Sequence, residues 1–288
     1  VAKGRRVRYA SGERKGLGRP LEASVRLLLI AVLVTVYAVP SILVLITSLK
    51  SEAEAKSFGF ALPSVAQWSN YLTVLSEKAV LRGMINGLLI ATGITVLTIL
   101  VASMAGYVIA RRTDPAPRVA YTYLLLGLIV PYAFVPAIAL LRFIGIYDSY
   151  LSVILVNAAI QVPFTTLLFA GFIQGIPREL DEAAEMDGAG PVRTFFTVIL
   201  PLLRPVVATN VVLLFTAGWN EFATILYLLP DQMKATVPMS FFQFQGKFTY
   251  EYNLVAANLV ISLIPVLVLY LFAQRYIIRG MTAGGVKG

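Results

Sequence analysis

The sequence predicts an all-α membrane protein with six transmembrane helices, both termini on the same side, and one structured loop between the fourth and fifth spans. Three observations predict it. Hydrophobic residues make up 58% of the 288 residues and charged residues 14%, where a soluble domain carries about 25% charge. Mean hydropathy is correspondingly high, at +0.79. The apolar residues also fall in long blocks, and such blocks read as bilayer-spanning helices because each backbone N–H and C=O must find its partner inside lipid. Finally, Lys and Arg crowd into alternate loops, 17 on the side of the termini against 7 on the other. That asymmetry places the termini and the fourth loop, residues 174–205, in the cytoplasm.

The chain opens on a basic stretch, 1–26, rich in Gly and Ser near its start, expected to be a solvated tail beside anionic lipid. The first apolar block runs from Leu27 to Leu49 between Arg26 and Lys50. As a helix it is about 35 Å long, enough to cross with some tilt and too long for the core of a cleavable signal. The later blocks are Ile85–Ala110, Val119–Leu141, Leu151–Ile173, Val206–Leu229 and Leu254–Ala273. They define a six-helix transmembrane bundle over 27–273 and a tail over 274–288. Pro40, Pro131, Pro136, Pro163 and Pro265 lie inside these blocks, where a missing N–H kinks a helix and leaves open either simple irregularity or a hinge.

Composition also removes whole classes of chemistry. With no Cys and no His, thiol nucleophiles, disulfides, Cys/His metal sites and imidazole catalysis are all absent. The net charge of +9 does not point to nucleic acid, since the basic residues flank apolar blocks without interleaved aromatic platforms. No catalytic or metal site is expected.

The loop from Gly175 to Pro191 reads as two short helices. Pro177 suits a first turn and is followed by acids that favour the positive end of a helix dipole. Gly188 and Gly190 supply a stop, and Pro191 opens the next helix. There Val192, Phe195, Phe196 and Ile199 fall at i, i+3, i+4 and i+7, an apolar stripe from which Arg193, Thr194 and Thr197 turn away. Leu180, Ala183 and Ala184 share a face of the first helix, shallow enough for close approach. A helix lying on the membrane would show the same pattern. Its acids at 179, 181, 182, 185 and 187 instead favour a partner's basic cleft over an anionic leaflet.

Glu182-Ala183-Ala184, Gly188 and then Val198-Ile199-Leu200-Pro201 together resemble the EAA loop of binding-protein-dependent ABC importer permeases, with Val198 where that pattern more often has Ile. Trp68-Ser69-Asn70-Tyr71, Gly218-Trp219-Asn220-Glu221-Phe222 and the C-terminal run Arg279 to Gly288 are similar to the MalG-type branch of carbohydrate permeases. The resemblance covers nearly the whole chain. It implies a second permease in a heterodimer, two ATPase subunits beneath and an extracytoplasmic solute-binding protein above, in the cytoplasmic membrane of a bacterium or archaeon. It further implies that 182–201 is a coupling helix and its flank seated in an ATPase cleft, with Leu180, Glu182, Ala183, Ala184, Asp187, Gly188 and Pro201 as the coupling residues. The C-terminal tail is implied to touch the ATPase pair.

The chain has no G-x-x-x-x-G-K-[ST] loop, so it is not expected to cradle ATP phosphates itself; the resemblance implies that ATP and magnesium are held by the partner ATPase and that this chain binds no cofactor. Glu221 is the acid set well inside an apolar block, and such a residue is costly enough in hydrocarbon to suggest a role. With Asn220 it serves either an interhelical hydrogen bond or the solute path. Asn157, Gln161, Asn210 and Asn258, with Tyr132 and Phe164 nearby, suit a hydroxyl-rich sugar or equally helix-to-helix hydrogen bonds. Importers of glycerol-phosphate or a glycerophosphodiester share this layout. An ion-coupled secondary transporter or a membrane scaffold is the competing class, although one peripheral Glu gives ion coupling little support.

Overall fold

The computed structural model describes residues 19–57, 59–239 and 251–284, and of these the backbone alone at 19–22, 118 and 277–284. The start of the predicted N-terminal tail, to residue 18, and the last four residues of the C-terminal motif lie outside the described residues. Among the described residues all regular structure is helical, the short helices α2 (Glu52–Ala55) and α10 (Leu200–Leu202) included. Four helices are long and apolar enough to span a membrane: α1 (Arg19–Ser48), α4 (Lys78–Arg111), α7 (Tyr150–Gln174) and α13 (Tyr252–Gly284). Two bent pairs bring the number to six if each is one span.

The third predicted span is the first of these pairs. In place of one helix over 119–141, α5 (Pro115–Ile129) and α6 (Phe134–Phe143) meet at 118°. The break falls at Pro131: Val130 before it leaves the helical region, at φ −74° and ψ 120°, the conformation a following proline favours, and Pro131 cannot itself donate to the preceding turn. Pro136 sits in the first turn of α6, where no N–H is needed. Pro40, Pro163 and Pro265 lie inside continuous helices. The fifth predicted span, 206–229, is also not one helix: α11 (Arg204–Trp219) stops, and α12 (Ala223–Leu228) starts afresh.

α4 is the axis of the fold. Its middle, Ile90 and Ile94, is buried with Leu141, Val153 and Ile225. Its last turns, Ala102 and Ala110, are buried with Phe169 and Ile173 of α7. Ala91 packs with Phe215 and Trp219 of α11. The α4–α7 seam is close because Gly106 faces Phe169 and Ala170 directly. The sequence run 68–71 explains itself at the end of α1. Asn70, in α3 (Ser69–Ser76), donates to the carbonyls of Ser48 and Lys50 at 2.9 and 3.0 Å, and accepts from Asn253 of α13 at 3.1 Å. Tyr71 shares a 2.6 Å hydrogen bond with Ser48. α1 itself touches mainly α13, and no residue of its apolar window is buried.

Candidate functional site

The region between α7 and α11 folds as a compact lever. α8 (Glu179–Met186) starts two residues later than the proline suggests, with Pro177 just outside it and Glu179, Asp181 and Glu182 in its first turn. It ends on a Schellman motif: the Gly188 N–H donates to Glu185 O and the Ala189 N–H to Ala184 O, both at 2.9 Å. Gly188 has φ +78°, the left-handed conformation this motif requires and glycine adopts most readily. Pro191 then opens α9 (Pro191–Thr194).

The apolar stripe is rotated from its expected position. Phe195 and Ile199 are buried as predicted, but so are Thr194 and Leu203, while Val192 and Phe196 are exposed. The reason is a π-helical turn over Phe195–Ile199, in which the Leu200 N–H reaches Phe195 O. That widened turn aligns residues four apart, so Phe195, Ile199 and Leu203 face the ends of α4 and α7 together. The segment 191–202 then meets α11 at 80°.

The shallow face of α8 is also divided. Ala184 is buried against the body, whereas Leu180, Glu182, Ala183, Asp187 and Gly188 are exposed, as is Pro201. Met186, which sequence reasoning passed over, is the most exposed of the lever's large apolar residues, at 88%. Asp181 behaves differently from the other four acids. Its carboxylate points inward, 2.9 Å from the Arg111 guanidinium, and accepts from the Tyr107 hydroxyl at 2.7 Å. Arg111 also donates to Ile173 O, at 3.3 Å, in the last turn of α7. The Tyr107 ring lies 5.5 Å from that of Phe195. Sequence reasoning counted Arg111 only as a loop charge. Its place at the end of an apolar block, facing an acid-rich helix, was the available signal.

The candidate solute-path residues do not share one site. Tyr132, Gln161 and Phe164 line one groove of about 1100 Å³ between α5 and α7, opened where Pro131 breaks the third span. Tyr132 packs edge-on against Phe134, whose ring is tilted against that of Tyr227 at 4.8 Å. Asn157 is buried elsewhere, donating to Thr224 Oγ1 at 2.8 Å, and the Glu221 carboxylate accepts from the Thr224 N–H at 2.8 Å. Glu221 therefore lies in the break between α11 and α12 and caps the latter. Asn220 donates back to Thr216 O and borders a second groove, of about 860 Å³, with Asn258. Asn210 donates to Val206 O within its own helix.

At the ends of α4 and α7 remote from the lever, polar contacts fix the connecting loops. Asn86 donates to the carbonyls of Met233 and Ala235 and accepts from the Tyr150 hydroxyl. Lys234 pairs with Asp148 at 3.1 Å, and hydrogen bonding to Asp148 raises the ammonium above its ordinary pKa.

Comparison with known proteins supplies the context. Residues 99–283 match the family described as binding-protein-dependent transport system inner membrane component. The melibiose/raffinose/stachyose import permease protein MelC of Bacillus subtilis is 31% identical over 264 residues, 91% of this chain and 95% of that one. The sulfoquinovosyl glycerol transport system permease protein SmoH of Agrobacterium fabrum is 31% identical over 279 residues, 94% of this chain and 95% of its own. In structure, a chain of a bacterial ABC transporter involved in import of the acidic polysaccharide alginate aligns with a TM-score of 0.76 at 21% identity, covering 94% of this chain and 99% of that one. That last likeness establishes a shared fold.

Proposed function

We propose, because this chain belongs to the family of binding-protein-dependent transport system inner membrane components, that it is one of two permease subunits of an ATP-driven carbohydrate importer. It is a transport component and not an enzyme. Its energy then comes from two partner ATPase subunits that hold ATP and magnesium, and its solute from an extracytoplasmic binding protein. A di- or oligosaccharide is the preferred cargo, because the import systems of similar permeases carry sugars in their names. The apolar window of α1, none of whose residues is buried, supports a second permease packed against it, with lipid over the rest.

The observation that carries this reading is the lever. A capped helix presents Leu180, Glu182, Ala183, Asp187, Gly188 and Met186 outward, while the segment that follows it is anchored in the core by Phe195, Ile199 and Leu203. We assign that face to the ATPase cleft on the cytoplasmic side. Closure of two ATPase subunits moves the two levers of a permease pair together, and the spans turn that displacement into alternation between inward-open and outward-open states. The groove of Tyr132, Gln161 and Phe164 is the assigned solute contact within this chain, since flat aromatic faces and an amide suit the apolar and hydroxyl faces of a pyranose.

Gentle detergent purification of the tagged chain tests the assembly. It is expected to bring down an ATPase and a second permease, and vesicles holding all of them are expected to take up sugar only with ATP and binding protein present. Uptake by vesicles holding this chain alone would assign it to the autonomous carriers instead.

A further inference from the structure

We infer that Arg111 and Asp181 form a positioning pair that makes the lever one rigid body with α4 and α7, so that movement of α8 reaches the second and fourth spans through their ion pair. The inference rests on the reading of α8 as the ATPase-coupling helix. It concerns residues that the EAA resemblance does not assign.

The mechanical need is plain from the chain. α8 has eight residues, too few to hold its own orientation as an isolated helix, and it is joined to its neighbours through Gly175 at one end and Gly188 at the other. Joints of that kind let a helix swivel. A swivelling lever would absorb an applied displacement, so something other than the backbone connections must fix its angle.

The Arg111 side chain does this at a junction of three helices. It emerges from the last turn of α4, meets the Asp181 carboxylate of α8 at 2.9 Å and reaches Ile173 O of α7 at 3.3 Å. Tyr107, one turn earlier in α4, donates to the other Asp181 oxygen at 2.7 Å. The two charged side chains are only 12% and 19% exposed. An exposed pair would break and re-form freely, whereas one so withdrawn from water is costly to separate, because each charge is left poorly solvated. A planar guanidinium holds the acid and the carbonyl at once, which an ammonium cannot do in the same geometry. The positive charge also sits at the C-terminal ends of both α4 and α7, where the helix dipoles favour it.

The chain has no Cys, so Arg178→Cys and Val108→Cys, both at exposed positions outside the face assigned to the ATPase, can carry spin labels at the start of α8 and on α4. In the purified complex a single narrow distance distribution is expected. Arg111→Ala and Asp181→Ala should broaden it, and Arg111→Lys should broaden it less, while Glu179→Ala, an exposed acid on the same helix, should not. Sugar taken up per ATP hydrolysed should fall roughly tenfold in Arg111→Ala and in Asp181→Ala, and the double variant should fall no further than the worse single one. An unbroadened distribution, or losses that multiply in the double variant, would overturn the inference. Should the alanine variants not assemble, Arg111→Lys and Tyr107→Phe give the same distance readout with gentler changes. The distance measurement needs neither sugar nor ATP, so its outcome is separate from whether the chain imports a carbohydrate.

Discussion

A Gly188→Val chain is expected to reach the membrane at normal levels and to lose sugar uptake altogether. Gly188 holds φ +78°, and an L-residue there costs about 1–2 kcal/mol, more when it is β-branched. The Schellman hydrogen bonds of Gly188 and Ala189 depend on that conformation, so valine unwinds the end of α8 and re-aims the surface it presents. The rest of the fold has no reason to fail, since a Cβ at 188 meets nothing within 4 Å. Labelled-sugar uptake, measured beside an immunoblot of the membrane fraction, separates the two effects. Gly188→Asn tolerates the left-handed conformation better, and whatever uptake it still lacks reports how closely a partner surface approaches. Normal uptake by the valine variant would mean that the end of α8 plays no part in coupling.

The largest loss of stability is expected at Gly106. A Cβ built there lies 2.9 Å from Phe169 Cβ, 3.0 Å from Ala170 N and 3.2 Å from Thr166 O. Two of those three atoms are backbone and cannot swing aside. Overpacking a closed seam costs about 1–3 kcal/mol, and Gly106→Val, with two further methyl groups, belongs at the upper end. The purified variant should melt at a clearly lower temperature than the parent, and less of it should accumulate in membranes. Gly171→Ala is the matched control, because its Cβ meets nothing within 4 Å. Equal melting temperatures for Gly106→Val and the parent would show that α4 and α7 are not packed as closely as described.

The long helices were legible in the sequence because lipid leaves few other solutions for an apolar block. The breaks were not. Pro131 ends a helix while Pro40, Pro163 and Pro265 sit inside continuous ones, and the difference depends on neighbours that a single chain read in order does not display. Gly188 and Pro191 marked the end of α8 and the start of α9, since caps are local chemistry. The buried face of its second half was misplaced because a 3.6-residue period does not anticipate the π turn over Phe195–Ile199. Asp181 was one acid among five, and only the phase of α8 against the body turns it toward Arg111. Glu221 stood out as an acid in an apolar block. Its role as the cap of α12 arises from the break beside it.

The central claim is that α8 is gripped by an ATPase from the cell interior. Placing a single cysteine at Ala183, which is exposed on α8, and treating intact cells with a short thiol cross-linker that crosses the membrane tests it directly. The account predicts an adduct with an ATPase subunit and no reaction with a membrane-impermeant thiol reagent added outside. Labelling from outside, or a cross-linked product containing no ATPase, would contradict it.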